Sequence, residues 1–279
     1  MSVFDSMLSQ IDGVEPAKVE KLRYCVRPGK MLRSRLAYAL LGADSDVEDV
    51  IRACAATEMI HTATLFHDDV IDGADLRRGR EPMWKTVGAT GAILLGDLLY
   101  SSALELVIAG GKLKHVSSYV QRIKEVCAIE ATHELLLRGK TVNVQDSIRI
   151  ARGKTGALFA FPAEVAGGDS TASAEALSEV GYLIGAAYQI ADDLIDELGD
   201  EDVVGKTLGT DRKRSKYTIA QAPDADEHEI LDQIHYLCDQ AVELVQPWPV
   251  RAAALSEYID AYLMTPKKLN FKNVTPARK

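Results

Sequence analysis

The chain has 279 residues, 47% of them hydrophobic and 26% charged, which suits a globular protein large enough to bury a substantial core. Its 32 basic residues stand against 41 acidic ones, and the net charge of −9 excludes a general attraction to nucleic acid. Cys25, Cys54, Cys127 and Cys238 are scattered without a CxxC pair, which argues against a disulfide framework and for buried free thiols.

The N-terminal MSVFDSMLSQIDG is neither basic nor followed by an apolar core, so no signal peptide is expected. No apolar run approaches the roughly 18 residues of a membrane span, and the expected location is the cytoplasm. Prolines at 16, 28, 82, 162, 223, 247, 249, 266 and 276 punctuate the chain, because proline lacks a donor and clashes inside a helix. Between them, 51–67, 91–108 and 175–196 are rich in Ala and Leu and lack the alternation of strands, which predicts helices. Several are apolar on nearly every face, as expected of helices buried inside a large bundle. Turn signals fall near 42–46, 109–112, 166–171 and 222–227. No strand pair, nucleotide-binding glycine motif or short repeat is present. The expectation is an all-α, single-domain helical bundle over 1–279 with a basic tail at about 265–279. That tail, carrying Lys267, Lys268, Lys272, Arg278 and Lys279, is either solvated or a flap over an anionic ligand.

Two short segments carry the chemistry. Residues 67–72 read HDDVID and 191–196 read ADDLID, placing Asp68, Asp69, Asp72 and Asp192, Asp193, Asp196 in one Asp-Asp-x-x-Asp spacing. On a helix, the three carboxylates of each cluster fall within an arc of about 100°. Carboxylates this close repel and raise one another's pKa unless a cation sits among them. Magnesium suits such hard oxygen ligands and brings a substrate phosphate with it. One cluster alone would read as an exposed acidic helix end; a second of identical spacing on another apolar helix points to metal binding. Arg77 and Arg78 follow the first cluster directly. Lys30 and Arg33 are expected one helical turn apart on one face. Lys154-Thr155, Lys206 and Lys216 come later. Each cation singly reads as a solvated surface group. Together with metal-bridged aspartates they imply more than one polyanionic group to bind.

The segments EMIHTATLFHDDVIDGADLRRG at 58–79 and GAAYQIADDLIDELGDEDVVGKTLGTD at 185–211 resemble the paired motifs of the trans-isoprenyl diphosphate synthases, also called polyprenyl synthases. The resemblance runs from about residue 20 to about 220. It implies the isoprenoid synthase fold, an all-α bundle with the clusters facing each other across a deep central cavity, and a homodimer. It implies head-to-tail condensation of isopentenyl diphosphate with an allylic diphosphate, using Mg2+, two or three ions per active site. By resemblance, Asp68, Asp69, Asp72, Asp192 and Asp193 hold the metal, with Asp196 in support. Arg77, Lys154 and Lys206 neutralise the allylic diphosphate; Lys30, Arg33, His61 and Arg78 bind that of isopentenyl diphosphate. Thr155 and Gln189 line the site near the reacting carbons.

The chain departs from the family at several points. The usual Gly-Gly-Lys-Arg-Leu-Arg-Pro reads Pro28-Gly29-Lys30-Met31-Leu32-Arg33-Ser34, the segment around Lys216 lacks its usual ending, and Ile129-Glu130 stands where a Gly-Glu pair is usual. Ala63 and Thr64, five and four residues before Asp68, are small where short-chain members carry aromatics, which implies a product of twenty carbons or more. Ser101, Ser102 and Leu98 are candidates for the deeper wall. Two other readings stand beside this one. A class I terpene cyclase would usually lack the second cluster and the isopentenyl-diphosphate cations, and a non-catalytic partner subunit would commonly lose aspartates from one cluster.

Overall fold

The computed structural model describes residues 15, 19–20, 22–23, 29–77, 79–137, 139–198 and 226–263. Its elements, in order, are α1 (Leu32–Ala39), α2 (Val47–Ile71), α3 (Met83–Ala109), α4 (Leu113–Thr132), a π turn (His133–Leu137), α5 (Val144–Ala151), a second π turn (Arg152–Gly156), α6 (Ala157–Ala166), α7 (Thr171–Leu198), α8 (Glu227–Leu244) and α9 (Pro249–Tyr262). No strand occurs among the described residues, only an isolated bridge between Arg77 and Arg80. The helices expected over 51–67, 91–108 and 175–196 lie within α2, α3 and α7. Arg78, Lys206, Lys216, Cys25 and the basic tail lie outside the described residues, as does most of the turn expected at 222–227.

Local chemistry sets the helix limits. Asp46 caps α2, its carboxylate accepting from the N–H of Glu48 at 3.1 Å and of Asp49 at 3.2 Å. Asn143 caps α5 in the same way through Asp146 N–H, at 2.8 Å. Proline opens α9, where its missing donor is no loss. Pro162 breaks the expected rule, because it lies inside α6. Every α6 residue except Glu164 is buried, and that packing outweighs a penalty of about 3 kcal/mol.

The core is centred on α6 and α7, which cross at very short range. A methyl group added at Gly181 would sit 2.4 Å from Ala160 Cα, and one at Gly185 2.5 Å from Gly156 Cα. Only glycine permits this approach. Around the crossing, Leu177, Ile184, Ile190 and Leu194 of α7 and Phe159 of α6 are fully buried.

The expectation that the apolar helices are all buried fails for α3. It packs along α2 but leaves Ile93, Leu94 and Ile108 exposed, and on α4 Leu113 and Val120 are exposed as well. By length and composition α3 is long and apolar enough to cross a bilayer, a test that a core helix of a globular protein also passes. Its helical geometry breaks at Gly88 (φ 79°, ψ 162°), which divides it into two helical pieces. Cys54 and Cys238 are at least half-buried thiols, whereas Cys127 is exposed rather than buried.

Arg251, on α9, ties the bundle together. It is 3% exposed and donates to the Leu40 carbonyl at 2.9 Å, Ser173 Oγ at 2.8 Å, Asp44 Oδ1 at 2.7 Å and the Ala166 carbonyl at 3.1 Å. The ends of α1 and α6 and the start of α7 thus meet on one guanidinium. Replacing it leaves buried carbonyls without donors. Arg251→Leu is expected to lower stability by about 3 kcal/mol, measured by urea denaturation.

Candidate active site

The first cluster sits where a helix least favours negative charge. Asp68 and Asp69 occupy the last turn of α2 and Asp72 is its C-cap, and no basic residue lies in that turn. The C-terminal end of a helix carries negative partial charge, so each carboxylate there costs about 0.3–1 kcal/mol instead of stabilising. Cations must come from elsewhere in the fold.

The loop that follows supplies one. Gly73 turns the chain in the left-handed region (φ 59°), and Ala74 N–H donates back to the Asp69 carbonyl at 3.0 Å. Trp84 Nε1 donates to the Ala74 carbonyl at 2.9 Å and holds the loop down. Arg77 and Arg80 then exchange backbone hydrogen bonds of 2.7 and 3.1 Å around Gly79 (φ 72°). This turn brings Arg77 back onto Asp69, with Nε 2.9 Å and Nη2 2.5 Å from Oδ1. Asp69 is 1% exposed and Arg77 is half-buried, so this is a part-buried, charge-assisted pair.

The second cluster lies in the last two turns of α7, again with no basic residue in the final turn. Asp196 is buried, and Asp192 and Asp193 are half-buried. One turn earlier, Gln189 Nε2 donates to Asp193 Oδ1 at 2.7 Å, while its Oε1 accepts from the Thr155 hydroxyl at 2.6 Å. A carboxylate only accepts, so the amide has one orientation that satisfies both bonds. Thr155 belongs to the second π turn, a departure from regular helix that often marks functional sites.

Lys154 stands beside it, ion-paired with Glu130 of α4. Burial alone would push its ammonium down, but the charges of Glu130, Asp68 and Asp72 outweigh burial and hold its pKa above the ordinary lysine value. The dipeptide Lys154-Thr155 therefore answers the first cluster through charge and the second through the Gln189 relay.

Other expected residues fall differently. Lys30 and Arg33 do not share a helical face, because α1 begins only at Leu32 and Met31 between them takes the left-handed conformation (φ 51°, ψ 40°). Lys30 is exposed, its carbonyl accepting from Arg35 Nε at 2.9 Å, and the Arg33 guanidinium stands 5.2 Å from the Phe159 ring centre. His61, Asp69, Arg77 and Arg80 line one end of a cavity of about 1190 Å³ that extends along α2 to Val47 and Ile51. Ala63 and Thr64 are not part of that lining. Ala63 is fully buried, and the half-buried Thr64 donates its hydroxyl to the His61 carbonyl at 2.9 Å. Ser101 is exposed, with its hydroxyl bonded to the Asp97 carbonyl, whereas Leu98 and Ser102 are half-buried.

Two residues here carry no expected role. Arg80 lies on the cavity wall and is visible in the sequence as the end of the run Arg77 to Arg80; Glu130 is visible only as part of Ile129-Glu130, and its pairing with Lys154 of another element has no local signature.

The donor set fits magnesium. All six cluster side chains are hard carboxylates, and among the described residues no three His, Cys, Asp or Glu side chains converge as a ready-made cage. Magnesium typically keeps several waters and takes one or two carboxylates plus substrate phosphate, so it needs no such cage.

Comparison with known proteins finds relatives in both sequence and fold. The chain is 39% identical over 200 residues to the geranylgeranyl diphosphate synthase of Mycobacterium tuberculosis, covering 68% of this chain and 57% of that protein. It is 36% identical over 208 residues to the geranylgeranyl diphosphate synthase of Methanosarcina mazei, covering 71% and 64%. The alignment thus spans less than two thirds of either relative's length. Among solved structures, the polyprenyl synthase of Caulobacter crescentus complexed with calcium and isoprenyl diphosphate matches with a TM-score of 0.76 at 25% identity, covering 94% of this chain and 93% of that one. The geranylgeranyl pyrophosphate synthetase of Pyrococcus horikoshii matches at 0.69 and 28% identity, covering 96% and 89%. The polyprenyl synthetase family model matches residues 16–242, most of the chain including both aspartate clusters, and the chain belongs to that family.

Proposed function

We propose that this chain is a magnesium-dependent trans-prenyltransferase, a single synthase domain working in the cytoplasm. It condenses isopentenyl diphosphate head to tail with an allylic diphosphate, giving a product of twenty carbons or more. The observation that carries this reading is Lys154-Thr155, which answers one carboxylate cluster by charge and the other by a hydrogen-bond relay. The names of the two geranylgeranyl diphosphate synthases support the product class.

Breaking the allylic C–O bond leaves a carbocation and a diphosphate, so the rate depends on stabilising charge on the departing group. Asp68, Asp69, Asp72, Asp192 and Asp193 would hold Mg2+, with Asp196 supporting them; the bound ions would supply Lewis-acid charge. Lys154, Arg77 and Lys206 would neutralise the leaving diphosphate. His61, Lys30, Arg33 and Arg78, joined by Arg80, would bind the second diphosphate. Gln189 and Thr155 orient Asp193 and face the reacting carbons, and the surrounding apolar helices exclude water that would capture the cation. The π-bond of isopentenyl diphosphate then attacks, and the proton lost passes to the released diphosphate. The exposed apolar residues of α3 and α4 support a homodimer, since a second copy would cover them.

Incubation with isopentenyl diphosphate, Mg2+ and allylic primers of five, ten or fifteen carbons is expected to yield elongated polyprenyl diphosphates. No product from folded protein with any primer would reject catalysis and favour the partner-subunit reading. Chelation by EDTA should abolish turnover and added Mg2+ should restore it. Lys154→Ala should lower kcat by about 10²–10³-fold, the scale of losing one group aimed at developing charge, without loss of helical signal. Thr64→Phe should shift the product distribution to shorter chains, read by chromatography. An unchanged distribution would show that the chain does not pass this turn of α2. Ala63→Phe is the less clean probe, because overpacking a fully buried site costs about 1–3 kcal/mol by itself.

A further inference from the structure

The π turn Arg152–Gly156 departs from regular helix beside the residues that answer the aspartate clusters, and irregular turns persist only where their surroundings over-determine them. Both of its ends meet the same residue, Tyr182. Arg152, the first residue, donates from Nη1 to Glu179 Oε1 at 2.8 Å and from Nη2 to Oε2 at 2.5 Å, and its guanidinium lies 4.3 Å from the Tyr182 ring centre. Gly156, the last residue, lies so close to the Tyr182 backbone that an added Cβ would come within 2.8 Å of its carbonyl oxygen.

A second cation completes the arrangement. Arg122 of α4 stands 5.0 Å from the same ring centre, donates to the Tyr182 hydroxyl at 2.7 Å, and also reaches Glu164 at 2.8 Å and Ser178 at 2.9 Å. The Tyr182 hydroxyl in turn donates to Glu125. Two guanidiniums and the Glu125 carboxylate thus meet one tyrosine that is 7% exposed, and Glu164 and Glu179 hold the two guanidiniums, so that four elements are joined. Such networks are weak contributors to stability, since apolar residues of similar volume often do as well. Their attested use is to specify one arrangement among several.

The arrangement specified here concerns the site. Tyr182 and Gln189 lie on one face of α7, two turns or about 10.5 Å apart, so the residue that meets one end of the turn through its ring and the other through its backbone shares a rigid helix with the amide that meets Thr155. We propose that Arg122, Arg152 and Tyr182 form a clamp that sets the register of the π turn and thereby places Lys154 and Thr155 relative to Asp193. These are positioning residues, acting on the substrate diphosphate only through Lys154 and Thr155. The inference rests on the synthase reading above.

The test uses the full chain and two readouts: kcat with an allylic primer, and the Mg2+-dependent affinity for inorganic diphosphate by calorimetry. Tyr182→Leu is expected to lower kcat about tenfold and weaken diphosphate binding about fivefold, because small misplacements of a positioned group are costly. Tyr182→Phe, which keeps the ring beneath Arg152, is expected to restore most of both. In a Lys154→Ala background, Tyr182→Leu should change diphosphate affinity by less than about twofold, since coupled residues are non-additive. Losses that multiply in the double variant would overturn the proposal. So would a lowered Tm with unchanged kcat and affinity, the outcome of a purely packing role. If Tyr182→Leu does not fold, Arg152→Gln takes its place in the same scheme, because Arg152 is half-exposed. Wild-type turnover tests the synthase reading separately, and the binding arm tests the clamp even if that turnover is absent.

Discussion

Carboxylates gathered at the negative ends of two helices set the central constraint on this molecule. Neither cluster has a cation in its own last turn, and the helix termini add repulsion to the repulsion among the aspartates. A fold that keeps such an arrangement must bring positive charge from other elements. Arg77 arrives from the loop after α2, and Lys154 arrives from the π turn before α6. Under the proposed function, magnesium and substrate would complete the balance.

The surrounding structure divides into regular and irregular parts. The α6–α7 crossing is tight enough to admit only glycine at its closest points, and Arg251 locks three helix ends from behind. Around the clusters, by contrast, the backbone departs from regular geometry at Met31, Gly73, Gly79 and the π turn. Each departure reorients a polar side chain that a straight helix would aim elsewhere. Rigid helices hold the carboxylates, and short irregular turns deliver the cations to them. The division follows from leverage, because moving one residue in a turn re-aims a side chain without disturbing a packed helix.

Much of this was legible from the residues. The three helical stretches, the turns near 42–46, 109–112 and 166–171, and the aspartate spacing all follow from local pattern. Three expectations fail, each for its own reason. Proline does not bound a helix at Pro162, because burial of nearly all of α6 overrides local propensity. The apolar α3 is not fully buried, because a helix can be apolar all round and still present one face to the exterior of a single chain. Lys30 and Arg33 do not share a helical face, because the helix starts two residues after Lys30.

By itself, the order of residues determined that the chain is helical and that two acid clusters of identical spacing close two apolar helices. Hydrophobic period and carboxylate spacing are short-range properties, carried within a few turns of chain. Only tertiary structure decided which cation answers which carboxylate: Arg77 for Asp69, Glu130 as the partner of Lys154, and Thr155 joined to Asp193 through Gln189. Most of these pairings join different helices and turns. Coulombic and hydrogen-bond partners are chosen by distance in space, and no local pattern in a single sequence records that distance.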